Sequence, residues 1–437
     1  MPACTPWPPV SPDDLPDARG VSTTDRPADP VITGIGALTP LANNAPDTWR
    51  GLVEGRSGIR PVASFDASQL PVRIAGEVQG FDAEKELGTK RARRSARFSQ
   101  LAIVAAREAV ADAGLDVSHD RDRTGVLINN AVIAMPEAEH NIRALVTEGP
   151  REVSSYFVPE MIANMPACEV AIDLGATGPV SASALACASG TYAVQEARRW
   201  ILAGEADVVI AGGTDAAVSE VMFAGLAKMG PLSERNAEPE QASRPFDADR
   251  DGFVFGEGAV VMVLESAAHA AARGARSYGS AAGAALTCDA FHMSAPEPSG
   301  ASAARAISLA LERAEVAPAE LDYICAHGTA TKANDRAETR AIRLALGAAA
   351  DGIPASSPKS MVGHLIGAAG ALSVMVCLLA MRDGVLPPTV NLQTPDPECD
   401  LDYVPLQARP ATVATAAANA FGFGGQNCVV VLRAPAD

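Results

Sequence analysis

In the stretch GPVSASALACASGTYAV, Gly178 to Val194, one cysteine stands between small and β-branched residues and a helix-like segment. A buried cysteine is usually only a small apolar filler. Cys187, however, is followed by Ala188, Ser189 and Gly190, which would let another molecule approach the backbone. At a helix N-terminus, partial positive charge and unpaired N–H groups favour the thiolate, the nucleophilic form, and a nearby imidazole would help further. The chain has six histidines. His119, His140 and His269 lie in charged or polar surroundings and read as surface residues; His292, in DAFHMSAP, is undecided. His327 follows the apolar run YICA and precedes GTAT, as if a strand delivered it into a glycine turn. His364 stands at a helix start, with Lys359 just upstream in PKSMVGH. Either histidine alone reads equally well as a hydrogen-bonded structural residue. Asn419–Asn427, NAFGFGGQN, is a glycine-rich turn whose N–H groups could hold an oxyanion if the thiol lies nearby. The chain has no GxxxxGK[ST] loop and no dinucleotide fingerprint.

The elements that must position these groups alternate between strand and helix. Val31–Ile35 reads as a buried strand, Arg97–Leu115 as a helix with a glycine stop, and TGVLINNAVI as a second buried strand, a succession that argues for an α/β fold. The segments that start at Cys187 and Gly363 share a plan: a chemically capable side chain, Gly and Ala, then an apolar helix. This reads as an internal duplication whose two helices point at a common centre. The join falls near ESAAHAAARGARSYG. The expected division is a disordered Pro- and Asp-rich tail over 1–30, one half over 31–272 with the cysteine, and one over 273–437 with both histidines.

With 437 residues, 48% of them hydrophobic, the chain can bury a large core. A net charge of −17 argues against nucleic-acid binding. The eight cysteines make no CxxC pair, so no zinc ribbon or redox motif is expected, and reduced thiols in a cytoplasmic protein are. No uninterrupted apolar run of membrane-spanning length is apparent, and the N-terminus does not read as a signal peptide.

VITGIGALTP, GPVSASALACASG, ADVVIAGGTDA, SRPFDADRDGFVFGEGA, AHGTATKANDRAE, PKSMVGHLIGAAGAL, CDLDYVP and NAFGFGGQN, in this order, resemble the β-ketoacyl-acyl carrier protein synthases of the thiolase superfamily. The likeness is to synthase II of fatty-acid synthesis and to the ketosynthase-alpha subunits of type II polyketide synthases, and runs from about Val31 to Leu432. The resemblance implies a thiolase-like fold of two duplicated halves, each with a five-stranded mixed sheet, in five α-β-α-β-α layers. It implies decarboxylative condensation of a Cys187-bound acyl chain with a malonyl-type extender on acyl carrier protein. His327 and His364 would then stabilise the enolate, with Lys359 supporting them and Asp335 and Glu338 completing the network. Backbone N–H groups of Cys187 and Phe423 would form the oxyanion hole, with Phe423 as gate. Thr329 and Thr331 would hold the phosphopantetheine arm, and Val132 would lie near the floor of the acyl pocket. The basic run Lys90, Arg91, Arg93 and Arg94 would dock the acidic carrier. The only cofactor-like group implied is the carrier's own arm. A dimer is implied, either of two copies or with a homologous chain-length-factor subunit.

Cys325 stands where the family often has an asparagine that can contribute to a structural cation site, so no metal is expected. A thiolase-like acyl-CoA transferase would need a second catalytic cysteine, and Cys428 lies in a different context. A non-catalytic chain-length-factor subunit would lack the nucleophile that Cys187 supplies. DPECDLDYVPL and NDRAET look like the polyketide subunits, HLIGAAGAL and FGFGGQN like the fatty-acid enzymes, with a slight lean to polyketide duty.

Overall fold

A computed structural model describes residues 28–435, so most of the proline-rich tail lies outside the described residues. Ten strands form one continuous sheet made of two similar halves. In the first, β1 (Val31–Leu38), β2 (Thr124–Asn129), β3 (Val180–Ser181), β4 (Val208–Asp215) and β5 (Gly258–Glu265) lie in the order β1-β5-β4-β2-β3. In the second, β6 (Gly279–Cys288), β7 (Tyr323–Cys325), β8 (Ala355–Ser356), β9 (Thr415–Gly422) and β10 (Gln426–Arg433) lie as β6-β10-β9-β7-β8. In each half the first two pairings are antiparallel and the last two parallel. The halves join edge to edge, Val31 opposite Ser280 and Ile32 opposite Gly279.

Helices cover both outer faces and fill the space between. α1 (Arg97–Ala113) and α2 (Met165–Leu174) pack on the first half; α4 (Ala301–Ala314) and α5 (Lys332–Leu346) pack on the second. α3 (Ser189–Leu202) and α6 (Ala369–Asp383) lie between the halves and touch each other. This is the layered α/β arrangement that the family resemblance implies. The helix expected over Arg97–Leu115 ends at Ala113, where Gly114 takes the left-handed cap.

The internal repeat is more specific than the sequence suggests. α3 follows a 3₁₀ turn over Ala186–Ala188, and α6 follows one over Ile366–Ala368. Each turn opens on a non-glycine residue with positive φ, Ala186 at 46° and Ile366 at 50°. The counterpart of Cys187 is therefore Gly367, and His364 lies three residues earlier. One expectation changes here. Ile366–Asp383 is an 18-residue helical run of mean hydropathy 1.6, apolar enough by composition to cross a membrane. It is 83% buried inside the molecule, as the central helix of a core.

The two central turns meet without room for side chains. A Cβ on Gly190 would stand 2.6 Å from the Ala371 nitrogen and 2.7 Å from the Gly367 oxygen. Gly225, in the helix Glu220–Met229, has open space around it and an ordinary φ. Gly190→Ala is expected to destabilise the fold by about 2–3 kcal/mol through overpacking. Gly225→Ala should stabilise it by about 0.5–1 kcal/mol. Urea midpoints of the two variants, moving in opposite directions, check this.

Candidate active site

Cys187 occupies the middle of the first turn and is buried. The turn is tied by Ser189, whose hydroxyl accepts the Leu185 N–H at 2.9 Å and donates to the Ala186 carbonyl at 2.7 Å. Read from sequence, Ser189 was only a small residue; here it fastens the strained turn. His327 lies two residues beyond the end of β7, after Ala326. His364 is held in a strand-like bridge, donating its N–H to the Val254 carbonyl at 2.7 Å and accepting from Gly256 N–H at 2.9 Å. The Cys187 sulfur and a ring nitrogen of each histidine all lie within 4.8 Å of one another. The imidazoles stand edge to face, centroids 5.5 Å apart.

Two polar features define what this chamber accepts. The Ile366 N–H donates to His364 Nδ1 at 3.2 Å, which leaves the ring proton on Nε2. That Nε2 is buried and has no hydrogen-bond partner. It is a donor without an acceptor beside the thiol. Beneath the pair, buried Lys359 donates from Nζ to the His327 carbonyl at 2.6 Å.

Glu338 accepts the N–H groups of His327 and Gly328, each at 2.7 Å, and an N–H from the Asn419 side chain at 3.2 Å. Asp335 accepts the Phe246 N–H at 2.8 Å and pairs with buried Arg250 at 3.2 Å. Asn419 lies in NAFGFGGQN, where the signal is a polar residue on a buried strand; Arg250 lies in SRPFDADRDGFVFGEGA between exposed Asp249 and Asp251, and nothing local marks it as buried. Asp215, within ADVVIAGGTDA but given no role there, is fully buried at the end of β4.

Burial governs the protonation states. It pushes the Cys187 thiol up to about 11, with Lys359 and the Phe423 N–H pulling the other way. It holds both imidazoles well below their ordinary value, helped by the Lys359 charge. The resting site therefore holds a thiol and two neutral imidazoles. Lys359 is itself lowered by burial, against the pull of Cys325, Glu338 and Cys187.

The other candidate residues separate into those near the chamber and those at a distance. The turn between β9 and β10 brings the Phe423 N–H to the sulfur, while its side chain is 41% exposed. Thr329 and Thr331 have hydroxyls 3.1 Å apart, and Thr331 also caps α5 through the Asn334 N–H at 3.2 Å. Val132 is half-buried against the apolar cluster of Phe253, Phe255 and Ile366. In the basic run, Lys90, Arg93 and Arg94 are exposed, and Arg94 lies 5.0 Å over the Tyr156 ring. Arg91 instead turns inward to Asp173 and to the Glu169 carbonyl at 2.9 Å. His292 caps its own loop, its Nδ1 accepting the Ser294 and Ala295 N–H groups at 3.1 Å. His119 and His140 are exposed, whereas His269 is half-buried against Glu265 and Asp120. Cys428 is buried on β10, its thiol donating to Gln195 Oε1 at 3.3 Å.

Because Lys359 favours the thiolate, Lys359→Met is expected to move alkylation of Cys187 by iodoacetamide to higher pH. In the native chain the rate should rise about tenfold per pH unit through the neutral range. Rate profiles between pH 6 and 10 for the two chains check the direction; a shift to lower pH in the variant contradicts it.

Comparison with known proteins agrees with this geometry. Residues 29–270 match the β-ketoacyl synthase N-terminal domain and residues 278–393 the C-terminal domain. The 3-oxoacyl-[acyl-carrier-protein] synthase 2 of Synechocystis is 46% identical over 404 residues, covering 92% of this chain and 97% of that protein. That of Coxiella burnetii is 43% identical over 403 residues, with the same coverage. Among solved structures, a type II polyketide ketosynthase in complex with its acyl-carrier protein superposes with a TM-score of 0.87 at 34% identity, over 94% of this chain and 100% of that one. The ishigamide ketosynthase/chain length factor gives 0.88 at 35%, with the same coverage. The higher identities thus lie with the synthase 2 proteins rather than on the polyketide side toward which the motifs leaned. The chain belongs to the β-ketoacyl synthase family.

Proposed function

We propose that Cys187 carries the growing acyl chain and that His327 and His364 polarise the extender thioester during decarboxylative condensation, in fatty-acid chain elongation. The observation that carries this reading is the unpartnered Nε2–H of His364, a buried donor facing the thiol. A buried donor without an acceptor is costly in a resting protein. It becomes favourable when a thioester oxygen, gaining charge as an enolate, occupies that position.

In the first step Cys187 sulfur attacks the carbonyl of an acyl thioester on the carrier's phosphopantetheine arm. The Cys187 and Phe423 N–H groups receive the developing oxyanion. The carrier sulfur leaves, and the Cys187 proton ends on it as a thiol. In the second step a malonyl-carrying arm enters, and its bond to the carboxylate breaks. Carbon dioxide leaves, and the electron pair forms an enolate whose oxygen accepts from the histidines. The enolate carbon attacks the acyl-Cys187 carbonyl, and the bond to sulfur breaks. The expelled thiolate takes up one proton. Neutral imidazoles suit this path, because each still carries one N–H to donate to the enolate oxygen and costs no buried charge.

Thr329 and Thr331 hydrogen-bond the arm, and Val132 lies in the acyl pocket. Lys90, Arg93 and Arg94 meet the acidic carrier, steered by local positive charge on an acidic chain. Arg91 has a weaker claim, being held by Asp173. The first half, through residue 272, supplies the thiol and the second supplies both histidines. The site needs no resident metal: Cys187, His327 and His364 are zinc-type donors, but Lys359 and two converging N–H groups favour an anion there. No cofactor beyond the carrier's arm is invoked. Free thiols at the described cysteines agree with work in the cytoplasm. The partners are acyl carrier protein and a second ketosynthase-type subunit, either a copy of this chain or a homologue. A thiolase-like reading is disfavoured because Cys428 lies on β10 outside the group formed by Cys187, His327 and His364, its thiol engaged with Gln195.

Intact mass after incubation with medium-chain acyl carrier protein should show one acyl increment, absent in Cys187→Ala. His364→Ala should still take up the acyl group but lose about 10²–10³-fold in condensation with malonyl carrier. No increment on the native chain at several acyl lengths sinks the reading for the isolated chain. Arg93→Glu with Arg94→Glu should raise KM for the carrier at low salt and leave kcat nearly unchanged, the gap closing as salt is added. Steady-state kinetics at two ionic strengths check this.

A further inference from the structure

Asp215 is a buried carboxylate that the mechanism above does not use. Its Oδ2 accepts the N–H of Ala131 at 3.0 Å and of Gly367 at 2.6 Å, and its Oδ1 accepts the N–H of Val132 at 3.1 Å. Three amides, rather than a cation, hold it. Ala131 and Val132 follow β2. Gly367 sits in the turn that opens α6, three residues beyond His364. The clasp is tight, since a Cβ on Gly367 would stand 2.5 Å from Asp215 Oδ2 and 2.8 Å from the Ala131 nitrogen. Ile366 of the same turn lies in the apolar cluster that Val132 packs against, and its N–H fixes His364 Nδ1. One side chain thus ties the segment beside the acyl chain to the turn that orients a donor histidine.

We propose that Asp215 is a positioning residue that couples the seating of the acyl chain to the register of His364 against Cys187. This rests on the reading of Val132 as part of the acyl pocket. The wall and the histidine turn share one anchor, so a chain that displaces the wall also displaces the turn. Chain length is thereby read at the reacting centre. Burial pushes the Asp215 carboxyl up to about 7, and once it ionises its negative charge opposes formation of the Cys187 thiolate.

Asp215→Asn keeps the shape but leaves one accepting oxygen for three N–H groups. In the full chain it is expected to change the ratio of kcat/KM between long and short acyl carriers by about tenfold. It should also move iodoacetamide alkylation of Cys187 to lower pH, by on the order of half a unit. A merely structural residue would not move that midpoint. Gly367→Ala crowds the clasp and keeps the charge; it should alter the length ratio without shifting the alkylation midpoint. A folded Asp215→Asn with native length ratio and native midpoint overturns the proposal. If that variant does not fold, the native chain decides. Acylation of Cys187 should slow amide exchange in 130–133 and 365–368 together, and protection of one segment alone overturns the coupling. Failure of the condensing-enzyme reading is separate, since it appears as absence of any acyl increment on the native chain, while the alkylation profiles are still measurable.

Discussion

The site depends on a steric constraint at the centre of the molecule. Two turns of the same shape, Ala186–Ala188 and Ile366–Ala368, approach so closely that backbone meets backbone. A Cβ on Gly213 would lie 2.3 Å from the Gly367 oxygen, and one on Gly190 would strike Ala371. Only with these positions empty can α3 and α6 begin side by side. That approach puts the thiol of one half within reach of the histidines of the other. The scarcity of aromatics, 4% of the chain, follows from the same need. Close contact between layers favours Ala and Gly, and the apolar helix α6 is buried for the same reason.

Water exclusion then sets the chemistry. Removing solvent disfavours every charged form. It raises the thiol and lowers both imidazoles, so the chamber favours all three groups in their neutral forms. The cation retained below them, Lys359, is balanced by Glu338, whose carboxylate is satisfied by two backbone N–H groups. In a low-dielectric site such fixed donors act more strongly on a developing charge than they would in water. The apparent weakness of Cys187 as an acid is consistent with this arrangement. Burial opposes the thiolate, while Lys359 and the Phe423 N–H favour it.

Much of this was legible in the residues. Cys187, His327 and His364 each sit at the edge of an apolar segment with glycine or other small residues close by. The alternation of strands and helices was equally plain. The register of the duplication was not, because Gly363 looks like a helix start while the equivalent turn begins at Ile366. Positive φ at Ala186 and Ile366 leaves no mark in composition. Arg91 and Arg94 are indistinguishable in a basic run, yet one is pinned by Asp173 and the other lies over Tyr156. Asp215 and Asn419 escaped because each is a single polar residue near the end of an apolar strand. Their partners are amides from distant segments, which no local pattern announces. The apolar run of α6 was overlooked as a span because small residues interrupt it.

The duplication also explains why the site is asymmetric. Position 187 and position 367 are equivalent in backbone, yet a side chain at 367 would collide with Asp215 and Ala131. The second half cannot carry a thiol where the first half does. Its turn is closed on Asp215 and Ala131, and the thiol is faced instead by imidazoles that enter from the segment after β7 and from the bridge to Phe255. A symmetric pair of nucleophiles would have required two cavities at the meeting point of two turns that touch. One turn therefore supplies the thiol, and the other, with no side chain at position 367, supplies a backbone N–H that Asp215 grips.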